Sequence, residues 1–158
     1  MRAVGLVTEY NPFHNGHLYH LRESLRITDA EASVAVLSGH FLQRGEPALV
    51  DKWVRTEMAL AAGVDLVFEL PFAFACNSAP HFASGAVQSL TALGMVDSLC
   101  FGSEAGDLAQ LNKVATVLVE RQEEIESLTA ARLRDGVNYP AARSEVLVEL
   151  LPEVSAEI

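Results

Sequence analysis

The amino-acid sequence predicts an α/β fold: a parallel sheet with helices on both faces, followed by a helical C-terminal extension. Three observations predict it. Short apolar runs return four times, each closed by a polar turn containing Gly or Pro; a helical pattern separates each run from the next; and nothing after the fourth run reads as a strand. Continuous apolar runs suit strands buried on both faces, as crossover helices require.

Residues 3–8 form the first run, and residues 33–37, 66–70 and 99–101 form the next three. The first helical pattern covers residues 16–26, with Leu18, Leu21 and Leu25 on one face. The second covers residues 51–62, with Asp51 as N-cap and Gly63 just past its end; the third covers 79–93 and is followed by Gly94. Right-handed crossovers turn this order into a parallel sheet whose ligands bind beyond the carboxyl ends of the strands. Residues 107–121, 123–134 and 141–151 read as further helices, with a break over residues 136–140. The expected division is a nucleotide-binding part over residues 1–106 and its helical extension over residues 107–158.

The 158 residues, half of them hydrophobic, suffice for one sizeable core. With 20% charged residues and a mean hydropathy of +0.21, the chain gains too much from burial to stay disordered. No apolar stretch approaches the roughly 20 residues of a membrane helix, and no small-residue cleavage site follows the first run, so a cytoplasmic protein is expected. Cys76 and Cys100 lie far apart without a CxxC pairing and read as buried thiols. The net charge of -10 excludes a surface that is basic throughout. Residues 1–75 hold six basic and nine acidic side chains against five and twelve in the rest, so any polyanion site belongs to the first half.

The residues that carry chemistry follow the first run: Thr8, Glu9, Tyr10, Asn11, Pro12, Phe13, His14, Asn15, Gly16 and His17. They precede the first helix, where free N–H groups and the positive end of the dipole favour phosphate oxygens and where Gly16 lets a ligand approach the backbone. His14 and His17 add donors that can follow negative charge as it develops on phosphorus, which suits attack on the α-phosphate of a nucleotide. Packed or solvent-facing histidines are the alternative reading of so short a string. No acidic or Cys ligand accompanies His14, His17 and His20 at a zinc spacing, so no protein metal site is expected. Residues 38–50 make a long loop at the carboxyl end of the second strand, with Gln43, Arg44 and Gly45 expected on the ligand side. Arg44, Lys52 and Arg55 are expected to form a basic cluster that meets triphosphate or RNA. Glu69 and Glu104, each just after an apolar run, are carboxylates that need a partner or a function.

His14-Asn15-Gly16-His17 resembles the HxGH signature of the nucleotidyltransferase superfamily, related to the HIGH motif of class I aminoacyl-tRNA synthetases. Four blocks, over residues 3–18, 38–48, 63–71 and 101–104, resemble in order the tRNA(Met) cytidine acetate ligase family. The resemblance implies a Rossmann-like nucleotidyltransferase domain in an enzyme that activates acetate with ATP as acetyl-adenylate. Pyrophosphate is released, and the acetyl group passes to N4 of the wobble cytidine of elongator tRNA(Met). It also implies that Val7, Thr8, Glu9, Tyr10, Asn11, Pro12, Phe13, His14, Asn15, Gly16, His17, Leu18, Tyr19 and His20, with Gly102, hold ATP. Mg2+ is expected to arrive on the phosphates. His14, His17 and Arg44 are the expected catalytic residues, with Gln43, Arg44, Lys52 and Arg55 toward substrate or tRNA. The resemblance implies a longer protein, whose later part supplies most of the tRNA surface. Adenylyl transfer to a small phosphorylated metabolite and a non-catalytic nucleotide- or RNA-binding module are the alternatives.

Overall fold

A computed structural model of the chain describes residues 1–103 and 106–151. The elements run β1 (Ala3–Thr8), α1 (Asn15–Thr28), β2 (Ala32–Ser38), α2 (Lys52–Ala61), β3 (Leu66–Leu70), α3 (Phe72–Ala75), α4 (Ala79–Ala92), β4 (Ser98–Cys100), α5 (Leu108–Glu120), α6 (Gln122–Arg134) and α7 (Tyr139–Leu150). They fall into two compact units, Met1–Gly102 and Ser103–Ile158.

The sheet of the first unit has the order β3-β2-β1-β4, and all its pairings are parallel. The period-two alternation of strand side chains sorts the apolar residues into two cores. Val4, Leu6, Ala35 and Leu37 pack with Leu21 of α1 and Ala59 of α2. Ala3, Val34 and Val36 pack with Ala75 of α3 and with Ala86 and Leu90 of α4. Each fully buried aliphatic side chain contributes roughly 1.5–3 kcal/mol, so this double-sided burial holds the sheet together. Gly5 is part of the same packing: a Cβ there would lie 2.9 Å from Val96 Cγ1 and 3.1 Å from Leu90 Cδ1.

Two carboxylates seat the strands at the amino edge. Asp65 Oδ2 accepts from Ser33 N at 2.8 Å and Ser33 Oγ at 3.0 Å, and Asp97 Oδ2 accepts from Ala3 N at 2.8 Å. Gly63 (φ 105°) and Gly94 (φ 64°) follow α2 and α4 in the left-handed conformation that lets the chain turn off a helix. Because β1, β2 and β3 step one way and β4 returns to the other side of β1, the order reverses between β1 and β4. Their carboxyl ends form the crevice where such sheets bind ligands.

Two elements differ from the sequence reading. The single turn α3 was not expected; four residues after Pro71 are too few to show a period. Helix α7 starts inside the expected break, at Tyr139, because Asn138 Oδ1 accepts from Ala141 N at 3.0 Å and Pro140 sits in the first turn, where its missing N–H is not needed. In the second unit Val114 and Leu151 pack together with Val117, Leu118 and Leu147, and Arg132 joins α6 to α7 through Glu145 (3.1 Å) and Glu149 (2.5 Å). Among the described residues no helix is long and apolar enough to cross a membrane.

Candidate functional site

The site grows from the end of β1. Thr8 Oγ1 donates to Val36 O at 3.1 Å, fixing the strand end against β2. Tyr10 follows at φ 42°, a conformation bulky residues rarely adopt, and is only 2% exposed. Burial pushes its phenol up to about 12. Its ring packs edge-on against Phe13 (4.8 Å between centroids) and His17 (4.9 Å), and Phe13 lies 5.5 Å from His17. Packing of Tyr10 and Phe13 therefore sets the position of the His17 imidazole.

His14 is the N-cap of α1, in extended conformation, and its side chain closes a reciprocal cap with His17. His14 Nδ1 accepts from Gly16 N at 3.0 Å, while His17 Nδ1 accepts from His14 N at 3.2 Å. The two rings stack at 3.7 Å with 20° between their planes. An imidazole that accepts at Nδ1 carries its proton on Nε2, so both rings keep an Nε2–H donor for a ligand. Burial, then the neighbouring His14 and His20, lowers the pKa of His17 below the usual histidine value and keeps it neutral at pH 7. Burial also lowers that of His20, whose Nε2 has no partner among the described residues. The expected free N–H of Gly16 is thus spent on His14, and the imidazoles carry the donor capacity outward in its place. Gly16 has a reason the sequence did not show: a Cβ there would lie 2.9 Å from His14 Cε1.

The loop after β2 folds into a small hairpin. Leu42 N donates to Glu46 O at 2.9 Å, Phe41 bridges to Pro47, and Gly45 (φ 83°) makes the turn. Glu9 and Asn11 hold it from the β1 side: Glu9 Oε1 accepts from Gln43 N at 2.7 Å and Asn11 Oδ1 from Leu49 N at 2.6 Å. Gln43 Nε2 donates to Asn77 O at 2.5 Å, so this residue expected to face a ligand instead ties its loop to the end of α3.

Arg55 needs the larger correction. It is fully buried, its Nη1 donates to Glu9 O at 2.6 Å, its Nε to Val50 O at 3.2 Å and its Nη2 to Gly39 O. Its guanidinium thus joins the segments that follow β1 and β2, and it cannot grip an external phosphate. The signal in the sequence was its spacing of four from Ala59, on the buried face of α2. Lys52 pairs with Glu69 at 2.5 Å, which gives that carboxylate its partner. Arg44 stands exposed in the hairpin. Arg44, Lys52 and Arg55 therefore do not make one basic surface.

At the other side of the switch point, β4 pairs with β1 through Leu6 and Cys100. Gly102 follows it, exposed, with nothing within 4 Å of where a Cβ would stand. Cys100 is buried and Cys76 half-buried. Glu104 lies outside the described residues. Among those residues no three His, Cys, Asp or Glu side chains gather as metal ligands.

This arrangement can be set beside known proteins. The HIGH Nucleotidyl Transferase family model matches residues 1–157. The tRNA(Met) cytidine acetate ligase of Syntrophotalea carbinolica is 67% identical over 150 residues, which are 95% of this chain and 36% of that protein. The ligase of the same name from Alkaliphilus metalliredigens is 56% identical over 94% of this chain and 35% of its own length. The crystal structure of Thermotoga maritima TmcAL bound with alpha-thio ATP superposes with a TM-score of 0.89 at 44% identity, covering 99% of this chain and 38% of that one. The chain thus spans a little over a third of the length of these relatives. With its four parallel strands, its HxGH segment at the end of β1 and a match over nearly all its residues, the chain belongs to the HIGH nucleotidyl transferase family.

Proposed function

We propose that this chain is the ATP-binding part of a tRNA(Met) cytidine acetate ligase. Residues 1–106 carry the nucleotide, and α5, α6 and α7 belong to the extension that follows from residue 107. The observation that carries the reading is the reciprocal cap of His14 and His17, which aims two Nε2–H donors outward at the switch point of the sheet. The names of the similar ligases and the alpha-thio ATP bound to the Thermotoga maritima protein support the choice of nucleotide and reaction.

In this reading a carboxylate oxygen of acetate attacks the α-phosphorus of ATP, the bond to the bridging β-oxygen breaks, and pyrophosphate leaves with its charge. The Nε2–H groups of His14 and His17 donate to phosphate oxygens as that charge grows, and they need no rearrangement because the cap already orients them. The phosphates themselves would hold Mg2+, which would supply neutralisation of their charge. The amine N4 of the acceptor cytidine then attacks the acetyl carbonyl, the bond from that carbon to the phosphate oxygen breaks, AMP leaves, and the amine gives up one proton to water. Residues Val7 to His20 and Gly102 surround the nucleotide, and Arg44, exposed in the hairpin after β2, supplies a cation. A longer protein contributes the rest of the tRNA surface.

Calorimetry with MgATP tests the first half, and His17→Ala should weaken binding at least tenfold. Exchange of labelled pyrophosphate into ATP tests the second. Dependence on acetate is expected, whereas dependence on a small phosphorylated metabolite would transfer the site to adenylyl transfer. Absence of heat with MgATP would remove the nucleotide from this site.

A further inference from the structure

A second concavity lies on the other side of the same sheet edge, between α2 and the edge strand β3. It encloses about 190 Å³, has apolar walls from Leu37 and Val67, and brings together Lys52, Trp53, Thr56 and Glu69. The sequence builds it locally. Asp51 accepts from Trp53 N and Val54 N, so Lys52 and Trp53 begin α2 side by side, and the pairing of Leu37 with Glu69 sets the carboxylate at the carboxyl edge of the sheet. The Lys52 ammonium stands 2.5 Å from Glu69 Oε2 and 5.3 Å from the centre of the Trp53 ring. Trp53 is 69% exposed, unusual for the largest side chain of a folded protein. Ser38, which also lines the cavity, is fully buried with a hydroxyl that has no partner among the described residues.

The chemistry of this cavity is selective. Its volume falls short of the roughly 300–1,000 Å³ of sites for whole drug-sized ligands, so one ring fits and a nucleotide does not. Its cation and carboxylate neutralise each other, which disfavours acetate or phosphate as occupant. What remains is a flat neutral ring that offers a donor to the carboxylate and acceptors to the ammonium. Cytosine has this edge, with an exocyclic amine beside two acceptors; uracil puts a carbonyl where the amine would be. We propose that this cavity receives the amine-bearing pyrimidine of the acceptor, with Glu69 taking an N–H of the amine, Lys52 donating to the ring acceptors and Trp53 flanking the ring. The inference rests on the proposed acyl transfer to a cytidine amine and adds where on this chain that base is read: beside β2 and β3, with the nucleotide beside β1 and β4.

Trp53 is the only tryptophan, so its indole N–H resonance reports on this cavity alone. The 158-residue chain, isotope-labelled, is titrated with cytidine and then with uridine. Saturable movement of the Trp53 resonance is expected with cytidine, with uridine at least fivefold weaker. In Glu69→Gln the preference should fall below twofold, and in Thr56→Phe, which fills the cavity and leaves the ion pair in place, the response to cytidine should vanish. MgATP calorimetry on each variant shows whether it is folded; should Glu69→Gln fail there, Thr56→Phe decides. Equal responses to the two nucleosides, or a cytidine response that survives Thr56→Phe, overturns the proposal. Loss of cytidine selectivity with MgATP binding intact removes only the base site, whereas failure of MgATP binding in the unaltered chain removes the proposed function.

Discussion

Two imidazoles define the residue scale, because a reciprocal cap constrains their protons as well as their positions. Both Nδ1 atoms accept backbone N–H groups, and a protonated Nδ1 cannot. Nitrogen-15 spectra at pH 7.5 should show His14 and His17 as Nε2–H tautomers; Nδ1–H in either ring would contradict the geometry. The folded pKa of His17 lies below its unfolded value near 6.5. The unfolded chain therefore binds this proton first as the pH falls. Stability from His17 is complete above pH 6.5, declines as the pH drops below that value, and levels off once the folded ring is protonated too. The amide resonance of His14, which donates to His17 Nδ1, should shift in the same acid window, since protonation of His17 breaks that bond. Gly16→Ala tests the geometry separately: its methyl displaces the His14 ring, so MgATP affinity should fall about tenfold while the melting temperature stays within a few degrees.

At the scale of elements, the loops above the sheet are held by groups that a surface view would assign to ligands. Arg55 is the clearest, since one guanidinium satisfies the carbonyls of Glu9, Gly39 and Val50. Hydrogen bonds to charged groups contribute about 1.5–3 kcal/mol each, and unpartnered carbonyls add a penalty. Arg55→Met should therefore cost on the order of 3 kcal/mol or more by urea unfolding. A cost below about 1 kcal/mol would mean that the loops hold themselves. Lys52→Met, at a partly exposed pair, should cost under about 1 kcal/mol in the same assay. The contrast separates the scaffold of the loops from the groups that remain available to a ligand.

At the scale of the whole molecule, charge decides what the chain can hold alone. RNA affinity comes from Lys and Arg neutralising phosphates, and it weakens steeply with salt. The chain carries -10, buries Arg55 and pairs Lys52, which leaves little cationic surface beside Arg44 in the first unit's ligand edge. Filter binding at near-physiological salt should show the 158-residue chain holding elongator tRNA(Met) at least a hundredfold more weakly than a full-length relative. Equal affinity would place the tRNA surface here, and its loss on Arg44→Ala would locate it in the hairpin after β2.

The sequence by itself determined the strand order, every helix but the single turn α3, the parallel sheet, the caps at Asp51 and Gly63, and the HxGH segment at the first strand end. These signals are short-ranged: apolar period, capping residues and turn glycines act within a few positions, so they are written contiguously. What only the tertiary structure decided lies in pairs far apart in the chain. Arg55 meets Glu9 across 46 positions, Gln43 meets Glu9 across 34 and Lys52 meets Glu69 across 17. Spacing places Arg55 on the same helix face as Ala59, but whether a cation there ends in water or under three carbonyls depends on the folding of other segments around it. Gly16 is the local exception: its neighbour in space is the ring of His14, two positions away, and only the folded cap that His17 closes shows that the ring turns back over it.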